Sequence, residues 1–185
     1  MNALILRTLF VLAIIFSVYD SAAQEIWATD SGFVEFTSRV PFFEFNGQSE
    51  QVTGQINAAD STVDFYVDLE TLRTGNGKRD KDMRITLNTH NHPFAEFYGK
   101  LLTPFDSAIQ GQVPASVSGL FTLNGISRPI VIDGSLDISH DEIRLEASWI
   151  LRLDDYSIQP PKLLVLKVDQ DQSVSLSVVL KPVNK

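Results

Sequence analysis

The chain is 185 residues long, with a net charge of −8, 12 phenylalanines and no cysteine. Without cysteine there is no thiolate catalysis, no disulfide and no Cys-ligated zinc or iron–sulfur centre. The acidic balance repels polyanions, which argues against a nucleic-acid partner and against anionic membrane surfaces.

The first segment in chain order does not belong to a fold. Residues 1–23 read as a secretory signal. Arg7 supplies the positive start, LFVLAIIFSV from Leu9 to Val18 the apolar stretch, and Ser21 and Ala23 the small residues before a cut at Gln24. The apolar run covers only about 15 Å at helical rise, roughly half a bilayer core, so cleavage is expected rather than anchoring. No cysteine follows the small residues, which rules out lipoprotein-type acylation. Residues 24–185 then form one domain, of a size that buries about 70% of the surface of its unfolded chain. Nothing later in the chain is long and apolar enough to span a membrane, so the mature protein is expected to be periplasmic or secreted.

After Gln24 the dominant period is two, the period of side chains on a strand. Strands are expected over 32–39, 51–57 and 62–69. In the last of these Val63, Phe65, Val67 and Leu69 share one face, and Asp64, Tyr66 and Asp68 the other. Residues 71–93 then break the pattern. They are polar and rich in turn residues, and a short helix is expected over 78–84. Strands resume over 95–101, 113–123 and 130–138, with Asn124-Gly125 a strong hairpin signal between the last two. In the next strand Ile143, Leu145, Ala147, Trp149, Leu151 and Leu153 alternate with polar residues, Ile150 excepted. Strands at 163–169 and over Val174, Leu176, Val178 and Leu180 complete the set. Nine strands at hairpin spacing predict an all-β sandwich or an up-and-down barrel. A sandwich fills its interior, whereas a closed barrel of about eight strands holds one small ligand. Composition alone leaves both open.

No constellation carries catalytic chemistry. His90 and His92 precede a proline in a polar loop, His140 is remote, and no third ligand has metal-site spacing, so all three read as solvated. Asp154 and Asp155 are adjacent and diverge on a strand. Asp60, Asp64 and Asp68 are spaced as on a helix but sit in strand alternation. Ser118-Gly119 lacks the first glycine of a nucleophile elbow. Gly75-Asn76-Gly77-Lys78 is only a fragment of a phosphate loop and reads as a tight turn. Arg79 and Asp80 are expected to tie that turn; the functional alternative places Arg79 beside a ligand head group. No metal site, no cofactor and no enzymatic activity are therefore expected.

Four segments together resemble the YceI-like family of exported lipid-binding proteins. They are Trp27-Ala28-Thr29-Asp30 with Val34-Glu35-Phe36 and Val52-Thr53-Gly54; Leu72-Arg73-Thr74-Gly75-Asn76 with Arg79-Asp80, Met83-Arg84, His92-Pro93 and Phe97; the run from Val117 to Pro129; and Leu153-Asp154-Asp155-Tyr156-Ser157-Ile158. The sequence departs from many members after Asp30, where Ser31-Gly32 stands in place of a His-Ser pair. The resemblance implies an extended, lipocalin-like antiparallel β-barrel of about eight strands with a short helical insertion. It implies an apolar channel that holds a polyisoprenoid, such as the tail of a quinone, or a fatty-acyl chain, and export to the periplasm. A homodimer is compatible with it. From alternation, the ligand-lining candidates are Phe36, Phe65, Val67, Phe97, Phe121, Trp149 and Leu166. The competing expectation is a structural or interaction barrel of the envelope, filled by its own side chains.

Overall fold

Period-two alternation becomes a closed wall in the computed structural model, which describes residues 26–103, 109–160, 162–163 and 166–183. Residues 162–163 and 166–167 are described by backbone alone. The signal-like segment lies outside the described residues. The strands are β1 Ile26–Thr29, β2 Gly32–Val40, β3 Phe43–Ser49, β4 Val52–Asn57, β5 Thr62–Asp68, β6 Phe94–Leu101, β7 Gly111–Leu123, β8 Ile126–Ile138, β9 Ile143–Arg152, β10 Lys162–Leu163, β11 Leu166–Lys167 and β12 Asp171–Pro182. Helix α1, Gly77–Leu87, interrupts them. Strands β1, β4, β5, β6, β7, β8, β9 and β12 pair in that order, all antiparallel, and β12 pairs back to β1. The fold is thus an all-β, lipocalin-like barrel of eight strands, with β2 added on β12 and β3 on β2.

Strands β1 and β2 run along β12 as one strand with a fault. Ala28 lies opposite Lys181 and Gly32 opposite Val178. The first strand therefore takes one more residue than its partner, which is a β-bulge. Thr29 fixes it: its Oγ1 donates to Ser31 O at 2.6 Å and accepts from Ser31 N at 3.2 Å. The extra residue reverses the alternation, so that Trp27 before it and Val34, Phe36 and Ser38 after it all face the interior.

The Asn124-Gly125 turn has both residues at positive φ, 51° and 72°, as a two-residue hairpin of right-handed twist requires. Helix α1 runs beyond its expected 78–84 at both ends: Asn76 caps its start, its side chain accepting from Lys78 N and Arg79 N at 3.1 Å each, and Asn88 at φ 56° ends it. One strand lies outside those expected, and two other expectations are corrected. Strand β3 has no period-two apolar signature, because Gly47 and Ser49 occupy its inward positions. Where one strand is expected over 163–169, the described residues hold two short strands, β10 and β11, paired with each other. Leu153 belongs not to a strand but to a 3-10 turn, Leu153–Tyr156, closed by Ser157 at φ 56°.

Because neighbouring strands alternate in direction, the β2–β3 turn, the α1 segment, the β7–β8 turn and residues 153–160 gather at one end. The opposite end is sealed by Trp27, Ile138, Ile143, Val178 and Leu180, all buried. The α1 segment begins and ends at one point: Leu69 N donates to Pro93 O at 2.8 Å. It is fastened to β3 by a reciprocal Gln48–Arg73 backbone pair, at 2.9 Å in each direction. Among the described residues no helix is long and apolar enough to cross a membrane.

Candidate functional site: an apolar cavity under helix α1

Inside the barrel, between the sealed end and α1, lies a cavity of about 460 Å³. That falls within the range of small-molecule sites. Phe36, Phe65, Val67, Phe97, Phe121 and Trp149 all stand on its wall. Leu166 lies in β11, and its side chain is outside the described residues.

The lumen stays open because the aromatic rings lie down. Phe65 is paired with Gly54, and a Cβ on that glycine would sit 2.0 Å from the ring. Phe36 is paired with Gly47, where a Cβ would come within 2.2 Å of the ring. Phe97 reaches over Gly99 and Gly119, whose Cβ atoms would each fall 2.9 Å from its Cζ. Three bulky residues thus pave the wall instead of filling the barrel. Gly99 and Gly119 also face each other across β6 and β7, their backbones too close for any side chain. The Ser118-Gly119 pair is therefore a point of close strand approach. Edge-to-face contacts orient the remaining rings: Phe121 with Trp149 at 6.0 Å and with Tyr156 at 5.8 Å, and Phe36 with Phe45 at 6.4 Å. Burial pushes the Tyr156 phenol above its usual pKa, with the nearby Asp155 acting in the same direction.

Helix α1 covers the other end, contributing Met83 and Leu87 with Lys78, Arg79, Asp82 and Thr86. Its position is set by a small knot of hydrogen bonds. Thr74 donates from its N–H to the Asp80 carboxylate at 2.8 Å and from its hydroxyl at 2.5 Å. The Thr74 hydroxyl bond holds the Asp80 carboxyl below its usual pKa against the opposing effect of burial. Arg79 Nη2 donates to Thr74 O at 2.8 Å, and the guanidinium lies 4.5 Å over the Phe45 ring. Arg79 therefore ties the turn, as expected, and also lines the cavity.

Sequence reasoning missed Ser38, Phe43, Phe45 and Gln172 on the wall. Ser38 and Gln172 were legible by parity, being two residues from Phe36 and Val174, but both were passed over because they are polar. Elsewhere, the structure does not bring the histidines together. His92 packs against the β7–β8 turn beside Gly125, and His140 lies in the turn at the sealed end. No group of three potential ligands is arranged to hold a metal among the described residues. Asp154 accepts from Gln159 Nε2 at 3.1 Å, and Asp155 O accepts from Arg128 Nε at 2.9 Å, so the pair belongs to the turn that seats Tyr156.

A closed antiparallel barrel with a paved apolar lumen and one helical cover defines a lipocalin-like binding barrel. The YceI-like domain matches residues 27–180, and the chain belongs to that family. Among solved structures it is similar to a polyisoprenoid-binding domain from Saccharophagus degradans implicated in plant cell wall breakdown. The two share 17% identity and a TM-score of 0.74 over 86% of this chain and 99% of that one. It is similar to Burkholderia cenocepacia BcnA at 11% identity and TM-score 0.67, covering 80% and 95% of the two chains. A Campylobacter jejuni YCEI protein gives 13% identity and TM-score 0.56 over 75% and 85%. No curated protein matches the sequence.

Proposed function

We propose that this chain is a non-catalytic carrier of a long apolar lipid, a polyisoprenoid or isoprenoid quinone, exported to the periplasm or beyond. The observation that carries the reading is the continuous apolar cavity under α1, kept open by rings laid over glycines. Transfer of ligand surface from water drives binding. A few hundred Å² of buried chain, at about 25 cal/mol per Å², gives several kcal/mol before association costs. The polyisoprenoid-binding function of the Saccharophagus degradans domain supports an isoprenoid chain, and the resemblance of residues 1–23 to a signal supports export.

The test is organic extraction of protein purified from its native envelope, followed by mass spectrometry. A lipid with a long isoprenoid chain, near one per protein, is expected, and the protein should be found in the periplasmic or secreted fraction with residues 1–23 removed. Empty protein that takes up neither added polyprenol nor quinone would overturn the reading. So would turnover of the lipid.

A further inference from the structure

At the end of the barrel that α1 covers, several apolar side chains stand in water. The β2–β3 turn is two residues long, Pro41-Phe42, between the paired Val40 and Phe43. Proline sets the first φ, and the second residue takes φ 80°, the left-handed value that such a turn ordinarily fills with glycine. Here it is phenylalanine, in a conformation that bulky side chains rarely adopt. No packing inside the chain compensates, because Phe42 is 97% exposed and off the cavity wall. A ring that costs the backbone strain and touches nothing of its own chain points to a use outside it.

Phe42 is not alone there. Phe43 beside it is 48% exposed and also borders the cavity. Lys78 and Asp82 of α1 border the cavity and are exposed as well, so the lumen reaches solvent between this turn and the helix. With Met83 and Leu87 on the cavity side, the opposite face of α1 turns Lys81 and Ile85 outward, and Ile85 is 70% exposed. Where the insertion rejoins the wall, Phe94 follows Pro93 and meets Tyr66 edge to face at 5.6 Å, both rings exposed. Exposed apolar groups therefore sit on the turn, on the cover and at the return to the wall, around one opening.

Shape and charge decide what covers them. A stable protein partner needs about 800 Å² on each side. A projecting two-residue turn with one bare ring does not offer that as a flat face. The chain carries −8, and the rim holds both signs, Lys78 and Lys81 with Asp82, so attraction to an anionic surface is not the driving force. Separate apolar side chains around an opening fit a fluid apolar phase, which closes around each of them. Phe43 belongs to the rim and to the lumen, so this apolar surface is continuous with the cavity.

We propose that this end of the barrel is a docking surface for a lipid bilayer. Phe42 enters the boundary between head groups and hydrocarbon, Ile85 and the Tyr66–Phe94 pair rest against it, and the opening beside Phe43 is set against the membrane. Exchange of cargo through that opening rests on the cavity being a lipid site; the docking itself does not.

Flotation of protein purified from its native envelope with phosphatidylcholine vesicles, at low and at high salt, tests it. The native chain is expected to rise with the vesicles equally at both, since insertion rather than charge holds it. Phe42→Gly should weaken vesicle binding at least about tenfold, the effect of withdrawing one apolar ring. Its melting temperature should rise by about 2–4 °C, because glycine relieves the backbone, so the loss is not one of folding. Its uptake of dispersed polyprenol should match the native chain, while its transfer of polyprenol between vesicles slows. Ile85→Ser should weaken vesicle binding several-fold. Phe42→Trp should keep it and shift its emission to the blue when vesicles are added. A native chain that stays below the vesicles but takes up polyprenol would overturn the docking surface and leave the carrier standing. Flotation without polyprenol uptake would do the reverse. Equal flotation of the native chain and Phe42→Gly would overturn the proposal. So would a native dimer in sedimentation that Phe42→Gly dissolves, since the ring would then cover a second copy.

Discussion

Replacing Ala147 with tryptophan tests the lumen most directly. Ala147 sits on β9 between Gly134 of β8 and Leu176 of β12, and its side chain borders the cavity. A larger side chain there has open volume ahead of it, so the substitution removes no native packing. A buried tryptophan takes up at least about 150 Å² of surface. If it occupies that much of the space meant for ligand, the loss at about 25 cal/mol per Å² is ~4 kcal/mol, or about three orders of magnitude in Kd. Ser148→Trp, the next residue on the same strand and exposed, is the matched control and should bind as the native chain does. Equilibrium dialysis against labelled polyprenol measures both, with thermal unfolding to show that each variant is folded. A folded Ala147→Trp chain with native affinity would refute the reasoning, because the ligand would then lie outside the lumen.

Two further outcomes follow from the wall and its cover. Gly54→Ala places a methyl group 2.0 Å from the Phe65 ring and drives that ring into the lumen. It should cost about 1–3 kcal/mol in denaturant unfolding, the usual range for overpacking, and reduce lipid uptake. Asp80→Asn removes a carboxylate whose pKa lies below its usual 3.8. A lowered carboxylate pKa contributes stability that is full above the unfolded value and is lost as pH falls through the folded one. The native melting temperature should therefore drop as pH is taken from about 5 to 3, and the Asn variant should lose part of that dependence, measured by circular dichroism.

Much of the barrel was legible because its strands are paved on one side only. Val63, Phe65 and Val67 announced β5, and Asn124-Gly125 announced the β7–β8 turn by the backbone signs it demands. What was illegible is where a small residue does a large residue's work. Gly47 and Ser49 hid β3, since Phe36 from the neighbouring strand fills the space above Gly47. The bulge at Thr29–Ser31 was invisible because a reversal of parity is seen only against the β12 partner. Six of the seven candidates taken from alternation stand on the cavity wall; Ser38 shares their parity but is a polar residue in an apolar row, and the place of Arg79 on the wall needed three dimensions because it comes from an insertion.

The closure of residues 69–93 on themselves, through Leu69 and Pro93, has a genetic consequence. The barrel wall is written across the whole sequence, and no single stretch can be altered without disturbing its partners on either side. The charged face over the lumen comes mainly from one uninterrupted stretch whose two ends already touch. Such a stretch can be exchanged as a cassette, leaving the paved tube in place. Divergence in cargo among barrels of this kind is then expected to concentrate in that insert, while the glycines beneath the rings stay fixed.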